Sequence, residues 1–555
     1  MVSKIDVLLE TVGALGVYQW RQLFLIALGP IAAPLHFISI VFHSIKPTHR
    51  CKLPNWENDT FSPFSEVHNQ SIYQWIPVDK DGILDACKIY TNNNETVECE
   101  EHVFDKSVYW GVTLNEQFNM VCGESVAGTT VKVVFSCGLV AGAIVVGALS
   151  DRFGRKVAYV GCLVVGGATG IVAAFSVNYY MFAALRFFIA MCMVGIALIV
   201  HIINIEIVGP SGRSYAVAFR NLCWPIGVIL TSLFAYFLQD WNNFQLAISV
   251  LPIAFSLPVI ILLKETPHYL VTKGKHEEAE SLFEYIAKTN GKTLPENFMD
   301  DLKEDEEAAV TEKVKDIFKA PVLIKRLFIF VYLWFIAGLG YYGLGFNVSN
   351  LTGDIFVNNV ISGVADLPKT IFVLFAWKFG RKAPTIFCLL FGSAALLISA
   401  FMTAFLDTSG YSMVIVIISM VGKLGIATVL AFDYFWSSEM FPSTLRSTLV
   451  GFCSLCARVG IILAPIIVDL NLYVKTVFGA YLGALIFGIT MFIGGILAFL
   501  LPETNKQRMP ETIAEANAFL TKRQVTNEAD ESNVEKFDMQ NLSSTTDLID
   551  GKKST

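Results

Sequence analysis

The stretch Asp151-Arg-Phe-Gly-Arg-Lys156 follows a long apolar run and recurs in similar form as Trp377-Lys-Phe-Gly-Arg-Lys382, an offset of 226 residues from position 151 to position 377. Two further pairs follow in the same order at similar offsets: Glu206–Arg213 with Glu439–Arg446, and Glu265-Thr266 with Glu503-Thr504. One such pair arises easily by chance, but three in the same order do not. The sequence therefore predicts two homologous halves.

Composition places the chain in the membrane class. Of its 555 residues, 54% are hydrophobic and 16% are charged, and the mean hydropathy is +0.55. Ordinary soluble chains carry about 25% charged residues. The net charge of −7 and the lack of a basic stripe exclude a nucleic-acid binder. The expected surroundings are a lipid bilayer.

Twelve segments are long and apolar enough for a bilayer crossing, which needs about 20 residues. They cover residues 21–43, 130–150, 157–177, 179–206, 214–238, 243–263, 326–346, 355–377, 384–405, 412–436, 447–468 and 477–501. We expect an all-α polytopic membrane protein with twelve transmembrane helices, spans 1 to 12, in two six-helix bundles.

Lys and Arg residues orient the spans. One set of connecting loops carries Arg152, Arg155, Arg213, Arg381 and Arg446, whereas the alternate loops near Asn178, Asn242, Asn350 and Ser409 carry no Lys or Arg. Positively charged short loops remain in the cytoplasm, so both termini are predicted to be cytoplasmic. The predicted units are a first bundle (1–263) with an extracellular segment (44–129), a cytoplasmic loop (264–325), a second bundle (326–504) and a largely disordered cytoplasmic tail (505–555).

The segment 44–129 has the marks of an extracellular region. Its four cysteines, an even number in an oxidising compartment, predict two disulfides among Cys51, Cys87, Cys99 and Cys122. Four cysteines allow three pairings, and the sequence leaves all three open. Glycosylation motifs occur at Asn58, Asn69 and Asn94.

These stretches lead to a resemblance. Gly147 to Lys156 resembles the signature loop of the major facilitator superfamily, and other segments are similar to solute carrier family 22, the organic cation, carnitine and organic anion transporters. The segments are Phe118–Glu124, Lys264–Leu270, Tyr341–Leu344, Gly363–Pro368, Glu439–Pro442 and Leu501–Thr504. The resemblance implies the major facilitator fold and a plasma-membrane carrier that works by alternating access. The chain departs from the family pattern at His268 and Trp377, and in having four rather than six loop cysteines.

The repeated charges are expected to gate the cytoplasmic side. Asp151 suits a neighbouring helix N-terminus, and Arg152 and Arg155 are expected to pair with Glu206 and Glu439. The predicted gating residues are Asp151, Arg152, Gly154, Arg155, Glu206, Arg213, Glu439 and Arg446. The alternative is that the basic members only set topology.

Ionisable residues deep in the spans point to the substrate site, because such residues usually face an aqueous cavity. Arg458 lies about 11 residues into span 11, roughly 17 Å deep. The deep candidates are Arg458, Lys423, Lys369 and Asp366, the last two three residues apart and so expected on one helix face. Their positive excess favours a carboxylate-bearing anion or zwitterion. Alternatively, Arg458 pairs with Asp366 to hold helices together.

Aromatic residues at the same depth offer a second contribution. Tyr341, Tyr342 and Trp224 are the best candidates for a wall that contacts the substrate. Such rings would also hold organic cations by cation–π contact. His36 and His201 are more often packed residues than proton carriers, and Glu206 and Asp433 lie toward the predicted cytoplasmic ends.

The sequence shows no phosphate-binding loop, dinucleotide fingerprint or clustered metal ligands, so we expect neither an enzyme nor a cofactor or metal. The leading function is a secondary-active or facilitative transporter of small organic ions, with a lean toward zwitterions or anions. The alternatives are an organic cation transporter and a non-transporting receptor or scaffold derived from a transporter.

Overall fold

The structure is a computed structural model. It describes residues 4–518 except for 44, 46, 55, 79–83, 92, 94, 108, 123–125, 296–297, 299–313, 352, 407, 443, 475–476, 506, 508–509 and 511. Most of the predicted tail, the middle of the predicted cytoplasmic loop and the glycosylation motif at Asn94 therefore lie outside the described residues.

The first half is built from nine helices among the described residues. They are α1 (Lys4–Thr11), α2 (Val17–His43), α3 (Glu66–Trp75), α4 (Leu114–Gln117), α5 (Val126–Phe153), α6 (Arg155–Ala174), α7 (Tyr179–Glu206), α8 (Arg213–Phe237) and α9 (Trp241–Leu262). Predicted spans 1 to 6 correspond to α2 and α5 to α9. Local signals fix their ends: the Asn178 side chain, for example, caps α7 by accepting the N–H of Met181 at 2.8 Å.

The remainder of the described chain adds eleven helices. They are α10 (Pro267–Thr272), α11 (His276–Asn290), α12 (Pro321–Phe346), α13 (Ile355–Ala365), α14 (Lys369–Phe379), α15 (Lys382–Phe405), α16 (Thr408–Met440), α17 (Arg446–Val468), α18 (Leu470–Tyr473), α19 (Val477–Ala498) and α20 (Ile513–Ala518). Short 3₁₀ turns occur at Pro210–Gly212, Val314–Lys319 and Asn347–Asn350.

Span 8 differs from the other spans. Within the described residues, eleven helices are long and apolar enough to cross a membrane, while span 8 consists of the two shorter helices α13 and α14. The break falls at Asp366 to Pro368, where proline supplies no N–H and disfavours helical backbone at the residue before it. The expectation that Asp366 and Lys369 share one helix face is therefore wrong.

The two six-span halves meet along two seams. Helix α8 packs against α13 and α14, and α5 packs against α17. Within the halves, α5 lies against α7 and α12 against α17. The first of these contacts uses small residues, since Gly138 and Gly142 of α5 abut the backbone carbonyls of Phe187 and Met191. Close backbone approach of this kind is typical of membrane helices.

The predicted extracellular segment folds into a small disulfide-bonded unit. Strand β1 (His49–Cys51) pairs antiparallel with β4 (His102–Phe104), and β2 (Lys88–Tyr90) pairs antiparallel with β3 (Thr96–Glu98). Two disulfides, Cys51–Cys99 and Cys87–Cys122, select one of the three pairings that the sequence left open. Asn58 and Asn69 are exposed.

A buried ion network supports that unit. The Arg50 guanidinium donates to the Asp59 carboxylate with an Nη1–Oδ2 distance of 3.0 Å, and His68 Nε2 lies 2.8 Å from Asp59 Oδ1. Burial acts to raise the pKa of Asp59, but hydrogen bonds from Arg50, His68 and the Leu53 N–H hold it below its usual value.

The predicted cytoplasmic end carries a second, smaller core. Apolar side chains of α1, including Leu8 and Leu9, pack against α10 and α11. Asn290, at the end of α11, accepts the Tyr18 N–H at 3.0 Å and donates to the Val12 carbonyl at 2.9 Å. The chain between the halves is thereby fixed to the N-terminal segment.

The disulfide pairing gives a first prediction. In Cys51→Ser, Cys99 should react with a membrane-impermeant maleimide while Cys87–Cys122 stays oxidised, and surface expression should fall because a native disulfide contributes about 2–5 kcal/mol. Non-reducing peptide mapping of the wild-type protein should recover the two pairs. Cys137→Ser, which removes a free cysteine of α5, is the control. Recovery of a Cys51–Cys87 peptide would contradict the structure.

Candidate substrate cavity and charge clusters

A cavity of about 210 Å³ lies between the two halves. The first half contributes residues of α2, α7 and α8, and the second half contributes residues of α12, α14, α16 and α17. Five of the predicted substrate-site residues line it: Arg458, Lys369, Tyr341, Tyr342 and Trp224. The cavity is therefore built where two bodies meet, as expected for a site that both halves must contact.

The other two predicted residues, Asp366 and Lys423, lie outside the lining. Lys423 Nζ is 3.2 Å from Asp366 Oδ2 and donates to the Ser362 hydroxyl at 2.7 Å. The Tyr341 hydroxyl also donates to Asp366 Oδ2, at 3.1 Å. Both charged side chains are buried, and their contacts converge on the Oδ2 atom of Asp366. The pair therefore neutralises its own charge and holds the break in span 8 against α12 and α16.

In the structure, Arg458 does not form the pair with Asp366 that the sequence left open as an alternative. Its side chain is 9% exposed, lies near the Tyr342 hydroxyl, and its Nε has no hydrogen-bond partner among the described residues. Asp366 is engaged by Lys423 instead. Arg458 thus offers free donor capacity to the cavity.

Arg220 of α8 was not among the predicted site residues. This half-buried guanidinium lines the cavity, with Nη1 3.1 Å from His201 Nδ1 and Nη2 3.3 Å from Asn221 Oδ1. It also lies within electrostatic range of Lys369. The criterion that selected Arg458, an ionisable residue inside an apolar span, also applies to Arg220. Arg220 lies only seven residues after Arg213, so from the sequence its side chain is expected to reach the membrane surface. For this reason it does not stand out as a deep ionisable residue.

The described lining is cationic and aromatic. It contains Arg220, Lys369 and Arg458, and none of its described residues is Asp or Glu. Lys369 Nζ lies 5.5 Å from the Tyr341 ring centroid. Further ring contacts join Trp334 to Tyr434 at 4.4 Å. The cavity therefore combines positive charge with flat apolar walls.

The repeated sequence motifs form the same cluster twice at the predicted cytoplasmic end. In the first half, Arg155 pairs with Glu206 at 3.0 Å, and Thr266 donates to the same Glu206 carboxylate at 2.5 Å. The Glu265 carboxylate accepts the N–H groups of Arg155 and Lys156, each at 3.1 Å. Burial raises the pKa of Glu265, although these donors act to lower it. The carboxylate thus caps the start of α6.

The second half repeats this geometry. Arg381 pairs with Glu439 at 2.7 Å, and Thr504 donates to Glu439 at 2.6 Å. The Glu503 carboxylate accepts the N–H groups of Arg381 and Lys382 at 3.0 and 2.9 Å. Gly154 and Gly380 precede the two capped helices with φ of +102° and +80°. Each cluster closes within its own half.

Several gating expectations need correction on this geometry. Glu439 pairs with Arg381, because that arginine is its counterpart within the half, and not with Arg152 or Arg155. Asp151, near the end of α5, is 72% exposed. It pairs with Arg155, four residues later at the start of α6. Arg152 is exposed. The other two predicted arginines have partners outside the clusters: Arg213 pairs with Asp6 of α1, and Arg446 donates to the Phe441 carbonyl.

At the predicted extracellular end, the two halves are latched together. Lys132 of α5 pairs with Asp469 after α17 at 3.0 Å, and Thr129 donates to the same carboxylate at 2.7 Å. Both ionic side chains are buried. An aromatic contact also joins the two halves, with Phe42 of α2 stacked on Phe356 of α13 at 5.6 Å. We call Lys132, Asp469 and Thr129 the outer latch.

Comparison with known proteins agrees with this architecture. Residues 82–547 match the family described as "Sugar (and other) transporter". An organic cation transporter protein of Drosophila melanogaster is 31% identical over 532 residues, covering 93% of this chain and 94% of the relative. Human solute carrier family 22 member 13 is 28% identical, covering 92% and 93%. The Escherichia coli xylose transporter XylE, in a partially occluded inward-open conformation, aligns with a TM-score of 0.59 at 14% identity, covering 89% of this chain and 100% of XylE. At that identity, the likeness shows the fold.

The capped turn gives a second prediction. A Cβ on Gly154 would lie 2.5 Å from Glu265 Oε2 at a φ of +102°, so Gly154→Ala should lower the free energy of unfolding by about 1–3 kcal/mol. Thermal unfolding of the detergent-solubilised protein measures this. The control is Gly161→Ala in the same helix α6, where an added Cβ meets nothing within 4 Å. Equal melting temperatures for both variants would show that the turn is not strained.

Proposed function

Since the chain belongs to solute carrier family 22 of the major facilitator superfamily, we propose that it carries small carboxylate-bearing organic anions or zwitterions across the plasma membrane. Transport would occur by alternating access through the central cavity, with both termini in the cytoplasm. The observation that supports the substrate class is the lining with three cationic side chains and no acidic residue among those described.

The physical argument is the cost of unpaired charge. An isolated cation away from water is expensive unless it is paired, and two opposite charges 4 Å apart attract by about 4 kcal/mol at an effective dielectric of 20. A substrate carboxylate would pair with the free donors of Arg458, and Arg220 faces the same space from the other half. The aromatic walls would contact the organic part of the substrate.

An organic cation is the second candidate, because the Drosophila relative is described as an organic cation transporter. Tyr341 and Trp334 are suitable for cation–π contact. A cation would be stabilised by a carboxylate, and Asp366 is the deep acid whose carboxylate contacts a described lining residue, Tyr341. That group is occupied by Lys423, so a cation would have to displace an internal ion pair. The anion or zwitterion is favoured on this ground.

The charge clusters support movement as two bodies. Each cytoplasmic cluster ties three loops of one half together, so each half would rotate as a unit about the cavity. The outer latch would break when the cavity opens outward. A non-transporting scaffold would need neither the duplicated clusters nor the latch, and their presence favours transport.

A third prediction tests the substrate class. Arg458→Ala should raise the KM for an aromatic carboxylate by more than about tenfold, since removing one partner of a buried charge pair costs about 2–5 kcal/mol. Uptake of a quaternary ammonium should not fall. Arg220→Ala should act in the same direction. Radiolabelled uptake at matched surface expression is the measurement.

The control for this test is Lys325→Ala, which removes an exposed positive charge from α12 outside the cavity. It should leave both uptakes unchanged. Equal loss of carboxylate and ammonium uptake in Arg458→Ala would make Arg458 structural and would contradict the proposal.

A fourth prediction concerns the outer latch. Lys132→Ala leaves Asp469 buried without its counter-ion, a cost of about 3–5 kcal/mol, so the conformer with an open outer end should gain population. A cysteine placed at Phe356, which packs against Phe42 of the other half, should then react faster with an impermeant thiol reagent. The exchanged pair, Lys132→Asp with Asp469→Lys, should restore slow labelling.

Lys52→Ala is the matched control, since it breaks an ion pair with Glu101 on the surface of the predicted extracellular unit. Labelling of position 356 should not respond to it. An unchanged rate in Lys132→Ala would show that the latch does not hold the outer end closed.

A further inference from the structure

Asp433 of α16 is a carboxylic acid that the proposed site does not use. Its side chain is 0% exposed, and neither carboxylate oxygen has a hydrogen-bond partner among the described residues. The Ser437 hydroxyl bonds the backbone carbonyl of Asp433 and not its side chain. Asp366, the other buried acid of the spans, has both a lysine and a tyrosine on it. Asp433 is therefore an exception that needs a physical account.

Among the described residues, no cation pairs with Asp433, and Cys453 of α17 is a titratable side chain within its electrostatic range. The buried and half-buried cations on α16 and on the neighbouring segments bind elsewhere: Lys423 on Asp366, Arg326 on the Ala516 carbonyl, Arg381 on Glu439, Lys382 on the Phe499 carbonyl and Arg446 on the Phe441 carbonyl. The Tyr332 hydroxyl donates to the Thr490 carbonyl. Arg458 and Lys369 face the cavity.

An ionised carboxylate in such a place is strongly disfavoured. Burying a charge without a counter-ion or hydrogen bonds is so costly that buried groups take up a proton instead. In the conformer with a closed outer latch, Asp433 would accordingly hold a proton. Any conformer that brings water or a cation to it would release that proton, because the charged form is then solvated.

Asp433 is also placed to sense the substrate cavity. The next residue on α16, Tyr434, lines the cavity, and so does Ser454, the neighbour of Cys453 on α17. The acid thus sits directly behind the wall that α16 and α17 present to the substrate. Motion of these helices during opening and closing would change the solvation of Asp433.

We propose that Asp433 is a proton-binding site that couples substrate movement to a transmembrane proton gradient. The inference rests on the proposed transport function and adds the coupling ion to it. A proton that Asp433 takes up from one side of the membrane in one conformer and releases to the other side in the alternate conformer makes the direction of net flux depend on the pH difference. A difference of one pH unit corresponds to about 1.4 kcal/mol, and therefore to at most about tenfold substrate accumulation per proton.

The transport test uses the full chain in liposomes, with an aromatic carboxylate as substrate. Wild-type uptake should change several-fold when a pH gradient is imposed and should return to baseline with a protonophore. Asp433→Asn, a permanent mimic of the neutral acid, should lose this response while keeping exchange of internal for external substrate. Glu284→Gln, which removes an exposed acid of α11, should behave as wild type. A wild-type uptake indifferent to the gradient, or an unchanged response in Asp433→Asn, would overturn the proposal.

A second measurement separates this proposal from the transport function itself. Infrared spectroscopy of the purified protein should show a protonated carboxylic acid band at neutral pH that is absent in Asp433→Asn and present in Glu284→Gln. This readout needs no substrate. If the chain takes up none of the tested ions, the proposed function fails, while the band still reports on Asp433. An identical band in the wild-type protein and Asp433→Asn would overturn the proton site.

Discussion

The structure depends on one constraint: the hydrocarbon core of a bilayer does not solvate charge. Each ionisable side chain left within the spans must be paired, must contact backbone and aromatic groups, must face a cavity, or must be uncharged. Asp366 and Lys423 illustrate the first outcome, with a separation of 3.2 Å. Arg186 illustrates the second, since its guanidinium donates to Ser39 and the His36 carbonyl and lies 4.7 Å from the Phe135 ring. Arg458 and Arg220 illustrate the third.

The same constraint explains the broken span. A helix interruption inside a bilayer exposes backbone groups that must be satisfied within the protein. Here the Asp366 N–H returns to the Gly363 carbonyl, and its carboxylate fixes Lys423 and Tyr341 from two other helices. The break is thereby supported, and Lys369 at the start of the second half-helix is left to the cavity. The break in the helix therefore also determines where Asp366 and Lys369 place their charges.

The sequence predicted the spans, the two halves and a positive excess at depth, because apolar length, repetition and rare charges are local signals. It predicted the pairing of Arg155 with Glu206 but not the other partners. Glu439 takes Arg381 rather than Arg155, and Cys51 takes Cys99, since both choices depend on how distant segments pack. Arg220 was not predicted, because its position near the end of span 5 does not show whether its side chain turns toward the cavity or toward the membrane surface. The break in span 8 could have been read from Pro368, whose effect on a helix is local.

Burial alone does not separate structural charges from functional ones in this protein. Arg186 and Arg458 are both buried guanidiniums, and they differ in what they face. Arg186 donates to a hydroxyl and a carbonyl of α2 and packs against aromatic rings. Displacing it would therefore weaken the packing of α7 against α2. Arg458 shares the cavity with Arg220 and Lys369. The useful criterion is therefore donor capacity directed at a space that both halves line, because only a group in such a space can hold a ligand while one half turns against the other.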